Sequence, residues 1–423
     1  MQHFLPYLNW IDHMSLSMKD LVIKWANINT HATNFTGLEA CMLELKKSFS
    51  VLGGEMEEVD LPPYTVIDDR ANHTSNAAGK ALVITKRKDA PIRILLNGHM
   101  DTVFPKTSSF QTVRETDHGT LVGPGVTDMK GGLAIMLFAL EALEKSPYAE
   151  QIGWQVIITP DEEIGSPSSC QLLEKAAKQS DLGLVFEPCH SDASLVTERP
   201  AAANLTITIR GKAAHAGRDY TAGRSALVTG SAIVNDLQKI STLKPGDQMP
   251  QETLGKEVIV NVGEFRSGNG FNIVSDLAIL RVNLRAGLAS AYEEARKAID
   301  EIIAKHGRQE GIWIELFEQT KRPARHIDST TRQYLDYTQQ CSKELGLETG
   351  LKSSCGVSDA NIFSAAGLAV LDSMGPIGGK IHTHDEYLVT SSLALKAKIA
   401  SLLLMKIGSG EYVLEKTKKV IEL

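Results

Sequence analysis

Much is missing from this 423-residue chain, and each absence removes a class of function. The five cysteines, Cys41, Cys170, Cys189, Cys341 and Cys355, are odd in number and never form a CxxC pair. That argues against a disulfide framework and makes buried, reduced thiols the expectation. There is no run of lysines and arginines and no interleaving of basic with aromatic residues. With a net charge of −7 and a pI near 6.0, nucleic acid and an anionic membrane are excluded as main partners. No apolar stretch reaches the roughly 20 residues of a membrane span. The N-terminal stretch has no basic segment and no clean apolar core, so no signal peptide is expected and the cytoplasm is the expected location. Internal repeats and low-complexity segments are also lacking.

What remains is an ordinary globular composition, 43% hydrophobic and 22% charged. The length exceeds what one core sustains, so two domains are expected. Residues 6–50 carry helical spacing. Strands follow near 56–59, 81–85 and 93–98, then a Gly/Pro turn and a long apolar helix after Asp128. Further buried strands at 154–159 and 182–186 complete a strand-helix alternation, the signature of an α/β fold with a mixed, mainly parallel sheet. The pattern changes near residue 199. NLTITIR (204–210) alternates apolar and polar residues, as a strand with one wet face does. The elements from there to 317 run β-α-β-β-α-β, a ferredoxin-like α+β unit. The expected division is therefore an α/β domain formed by 1–198 and 321–423, interrupted by an inserted domain at 199–320. Lys321, Arg322 and Pro323 are expected in the return linker.

The chemistry-bearing residues gather at strand ends. His99 and Asp101 follow the strand at 93–98, and Asp128 follows the next turn. Asp161, Glu162 and Glu163 end another strand, Glu187 a fourth, and His382, His384 and Glu386 lie near the last. Ligands of open α/β sheets bind at the carboxyl ends of the strands, where these groups could converge. Histidines with carboxylates and no cysteine suit Zn²⁺, Mn²⁺ or Co²⁺. Neighbouring side chains point apart, so one of Glu162 and Glu163 can hold a metal while the other acts as general base. Asp161 is a third contender on chemistry alone. A carboxylate shared by two ions would hold them roughly 3.5–4 Å apart.

GHMDTVFP (98–105), GPGVTDMKGG (123–132), PDEEIGS (160–166), FEP (186–188), GKAAHAG (211–217) and HTHDEY (382–387), in this order, resemble the co-catalytic di-zinc exopeptidase and deacylase family. That family includes aminoacylase, acetylornithine deacetylase, succinyl-diaminopimelate desuccinylase and glutamate carboxypeptidase. The resemblance implies a zinc-exopeptidase-like catalytic domain with an inserted lid and dimerisation domain, and two Zn²⁺ per subunit, with Co²⁺ or Mn²⁺ as substitutes. It implies that His99, Asp128, Glu163, Glu187 and His382 are metal ligands, with Asp128 bridging. His382 is preferred over His384 because the family's histidine stands four residues before the glutamate of the closing E-Y pair, here Glu386. Asp101 then orients His99, and Glu162 is the general base. His215, supplied by the partner of a homodimer, hydrogen-bonds the oxyanion. Asn272, Arg285, Arg322 and Gly356 match substrate-binding positions, and the substrate loop departs from the pattern at Cys355 and Val357. The implied activity is hydrolysis of an amide bond next to a free-carboxylate amino acid in a small molecule or short peptide, as in glutamate carboxypeptidase. An N-acyl amino acid deacylase is the alternative enzyme reading. A relative without catalysis that serves as a binding module is a reading of another class.

Overall fold

The computed structural model describes residues 1–116, 118–250, 253–268 and 270–415. Its centre is the strand Ile92–His99, whose Ile94, Leu95 and Leu96 are 1% exposed or less. A strand apolar on both faces needs cover on both. Parallel neighbours Ile152–Thr159 and Leu182–Val185 flank it, and Val370–Leu371 pairs parallel beyond the latter. Lys80–Lys86 and Glu55–Asp60 extend the other side antiparallel, completing six strands. One face is covered by the helices Leu5–His13, Ser15–Ala26, Phe35–Phe49, Gly132–Glu144 and Ser391–Ser409, and the other by Cys170–Lys178 and Asp359–Ala365. The helix Gly132–Glu144 is apolar almost all round because it lies wholly inside this packing. A β-carbon on Gly132 would stand 2.0 Å from the carbonyl oxygen of Phe186, so glycine is what lets this helix approach the strand end that bears Glu187.

The inserted unit is a four-stranded antiparallel sheet in the order Val258–Ser267, Leu277–Ala286, Ala201–Arg210, Trp313–Arg322. The helices Ala226–Leu237 and Ala289–Gly307 pack on one face, giving this unit a core of its own. Its last strand runs further than the sequence suggests. Lys321 and Arg322, expected in a linker, instead pair with Ala203 and Ala202. The two crossings lie side by side, with Arg199 N–H donating to Arg325 O at 3.0 Å and Arg325 N–H to Arg199 O at 2.9 Å.

The expected wet face of NLTITIR is not wet. Thr206 and Thr208 are 2% and 0% exposed. The hairpin of Tyr64–Ile67 and His73–Asn76, from the first part of the chain, covers this face. Ile67 and Ala71 pack on Ile279, His73 meets Phe317 edge-on, and Arg210 Nη2 donates to Ala71 O at 2.8 Å. Among the described residues, no helix is long and apolar enough to cross a membrane.

Candidate metal centre and substrate cavity

Parallel pairing puts three strand ends next to one another, and each leads into an acidic or imidazole side chain. His99 ends the central strand. Its Nε2 lies 3.1 Å from Asp128 Oδ1 and 3.7 Å from Glu187 Oε1. His382 approaches from the far side, with Nε2 3.3 Å from Asp128 Oδ2 and 3.1 Å from Glu163 Oε2. The two oxygens of Asp128 therefore face two different imidazoles. Donor atoms of His99, Asp128 and Glu163, and likewise of His99, Glu162 and Glu187, all lie within 4.8 Å of one another.

Asp101 orients this group from behind. Its carboxylate lies 3.4 Å from His99 Nδ1 and accepts the backbone N–H of Glu162 at 3.3 Å and of Glu163 at 2.9 Å. One buried carboxylate thus fixes an imidazole and the loop bearing both glutamates. Asp161 faces elsewhere and accepts the N–H groups of Ser168 and Ser169, which makes it a loop anchor. His384 stacks on Phe110, its ring centre 5.3 Å away, while His382 takes the site-facing position with φ of +63°. Glu386 has a role that sequence reasoning missed. It is 1% exposed and accepts N–H bonds from Gly125, Thr127 and Asp128 at 3.0, 2.9 and 3.1 Å. It therefore shapes the turn that presents the Asp128 carboxylate. The sequence had placed it among the strand-end acids and used it to locate His382, without assigning it this anchoring role.

The charges are crowded. Burial, then the neighbouring charge of Asp128, pushes Glu163 up to about 8 and holds Glu187 well above the usual carboxylate range. Asp128 stays low although burial opposes it, because His382 and His99 hydrogen-bond its charged form. His382 is raised to about 11 by Asp128 and then Glu163. Burial would lower His99, but Asp101 and Asp128 raise it well above its ordinary value. Carboxylates raised by burial and crowding, beside imidazoles with two ring nitrogens each, make a donor set that a divalent cation would satisfy. The nitrogen and oxygen donors fit zinc and its borderline relatives.

A cavity of about 590 Å³ opens between this cluster and the inserted sheet. Such a volume suits a small substrate. Gly356 lines it, as do Arg285, Asn204 and Asn283. Arg285 Nε donates to Asn283 Oδ1 at 2.9 Å and Nη1 to Cys355 O at 2.6 Å. Among the described residues no carboxylate lies within 4.0 Å of Arg285, so its charge is free to meet an anion in the cavity. Arg322 also lines the cavity but is engaged by the protein. Nη1 donates to Glu162 Oε1 at 2.5 Å, and Nη2 to Ser166 Oγ at 2.7 Å and Asp359 Oδ1 at 3.2 Å.

His215 and Asn272 do not join the cavity of their own chain. Both are exposed and lie beside each other, with Ala216 N–H donating to Asn272 O at 2.9 Å. His215 Nδ1 accepts the N–H groups of Gly217 and Arg218, each at 3.1 Å. Arg285 stands at the cavity end of the strand Leu277–Ala286, whereas Asn272 precedes that strand's other end.

Comparison with known proteins gives the chain its family. The chain is 27% identical over 391 residues to carboxypeptidase G2 of Pseudomonas sp. (strain RS-16), covering 92% of this chain and 88% of that protein. It is 25% identical over 317 residues to succinyl-diaminopimelate desuccinylase of Acinetobacter baylyi, covering 71% of this chain and 80% of that one. Its fold matches the M20 family metallo-carboxypeptidase Sso-CP2 from Sulfolobus solfataricus with a TM-score of 0.72 at 14% identity, over 93% of this chain and 99% of the other. Residues 95–406, which span the cluster of His99, Asp128, Glu163 and Glu187, the inserted sheet and His382, match a single family description, and the chain is a member of peptidase family M20/M25/M40.

Proposed function

We propose that this hydrolase cleaves the amide bond joining an acyl or peptidyl group to an amino acid with a free α-carboxylate, in the manner of a glutamate carboxypeptidase. The observation that carries the reading is the Asp128 carboxylate held between His99 and His382, across one cavity from the uncompensated Arg285. His99, Asp128, Glu187, Glu163 and His382 would hold two zinc ions, or Co²⁺ or Mn²⁺ in their place, with Asp128 shared. Bound there, the ions would supply Lewis-acid polarisation of the substrate carbonyl and increased acidity of a water. Glu162 takes the proton of the attacking water and returns it to the departing amine. Arg285, oriented by Asn283, receives the free carboxylate, and Gly356 leaves backbone room beside it.

The oxyanion donor comes from a second copy of the chain. Three features support this: the displacement of His215 and Asn272 from their own cavity, their exposure, and the apolar Phe271 and Ile273 standing exposed beside them. A homodimer would deliver both side chains to the partner's site. Unpaired cysteines fit a reducing, cytoplasmic location. The desuccinylase relative favours a second reading, N-acyl amino acid deacylation, which uses the same residues. Zinc-loaded protein offered N-acyl amino acids and C-terminal glutamate peptides, with free amine as the readout, separates the two. Turnover of neither class contradicts both.

A further inference from the structure

Arg322 ends the strand Trp313–Arg322 and so belongs to the inserted sheet, yet its guanidinium lies among groups of the catalytic unit. It is 3% exposed. Besides Glu162 Oε1, Ser166 Oγ and Asp359 Oδ1, it donates to the Glu162 carbonyl at 3.3 Å, and its Nε is buried without an acceptor. Asp359 is anchored in turn by Ser166 and by Thr159 Oγ1 at 3.5 Å. A planar fork spent in this way cannot also grip a substrate carboxylate in two parallel hydrogen bonds. Arg285 still can.

The same strand holds the Glu162 loop a second time. Thr320 shares a face with Arg322, two residues away. It lies against Gly165, where a β-carbon would stand 2.9 Å from Thr320 Cγ2. Gly165 has φ of +95° and Ser166 φ of +53°, so the loop turns sharply between Glu162 and its two contacts on the strand. The strand end therefore clamps residues 162–166 from one side while Asp101 holds them from the other.

We infer that Arg322 is a positioning residue: with Thr320 against Gly165, it fixes the Glu162 carboxylate and ties that fix to the seating of the inserted sheet. The inference rests on Glu162 being the general base. It sets Arg322 apart from Arg285, leaving Arg285 as the arginine that takes the substrate's carboxylate.

The test compares wild type, R322K, R322M and E162A by kinetics, bound metal and hydrogen exchange of the 160–170 segment. N-acetyl-L-glutamate, N-benzoyl-L-glutamate and L-alanyl-L-glutamate serve as probes, and the exchange measurement needs no substrate. R322M should lose about a hundredfold in kcat with KM within about twofold, as a misplaced group does. Its metal content should match wild type and its 160–170 segment should exchange faster, with R322K restoring part of both. Should R322M not fold, the charge-balanced R322M/D359N variant takes its place. If the arginine variants raise KM, spare kcat and leave exchange unchanged while E162A is dead, the inference is overturned and the base assignment stands. If E162A still turns substrate over, the base assignment fails and the inference falls with it.

Discussion

Asp128 and Glu162 lie close together but should fail differently. Asp128 faces both imidazoles, so Asp128→Asn should lose metal and activity together, measured as metal per subunit by mass spectrometry. Glu162→Gln should keep its metal and lose at least about a hundredfold in kcat, the usual yield of a general base. Loss of metal from the Glu162 variant would mean that it is a ligand instead. The crowded acids also have a consequence for pH. Glu163, pushed up to about 8, carries a proton near neutrality, Glu187 is raised by burial and by Asp128, and His382, raised to about 11, is charged. A cation must displace those protons, so metal binding releases protons and affinity falls as pH falls. Calorimetry in two buffers of different ionisation heat should show that release. Equal heats in both would contradict it. Glu386→Ala strands three buried N–H groups, and should cost roughly 1–3 kcal/mol in denaturant unfolding while weakening metal binding.

At the scale of elements, the strands that carry the site were legible because their apolar runs are uninterrupted and end in charged residues. Ile94, Leu95 and Leu96 before His99 show this directly. Short edge elements were less legible. The edge strand Val370–Leu371 is only two residues long, because the chain just after it turns to pair backbone with Val185 and Glu187. The cover over Thr206 and Thr208 left no local trace, since the hairpin's strands YTVI and HTSN are short and half polar, and their partner lies far along the chain. Arg322 was misplaced for a related reason. Pro323 signals a chain break, but the sheet continues up to it. The glycine packing can be tested directly. Gly132→Ala drives a β-carbon onto the Phe186 carbonyl and should destabilise by about 1–3 kcal/mol in thermal or denaturant unfolding.

The whole molecule brings two folding units to one cavity, and the convergence of His99, Asp128, Glu163, Glu187 and His382 was readable because these residues follow strands in order. What periodicity could not show is which side chains of the inserted unit face their own cavity. Arg285 does, whereas His215 and Asn272 do not. If a partner supplies those two, inactive His215→Ala and Glu162→Ala chains should complement when mixed and reassociated. Random pairing gives about half mixed dimers, each with one intact site, so about a quarter of wild-type activity should return. Absence of recovery in verified mixed dimers would contradict the shared site. The most direct test of the central claim is anomalous diffraction at the zinc edge from zinc-loaded crystals. Two peaks on either side of Asp128, roughly 3.5–4 Å apart, are expected. A single peak, or peaks away from His99 and His382, would contradict it.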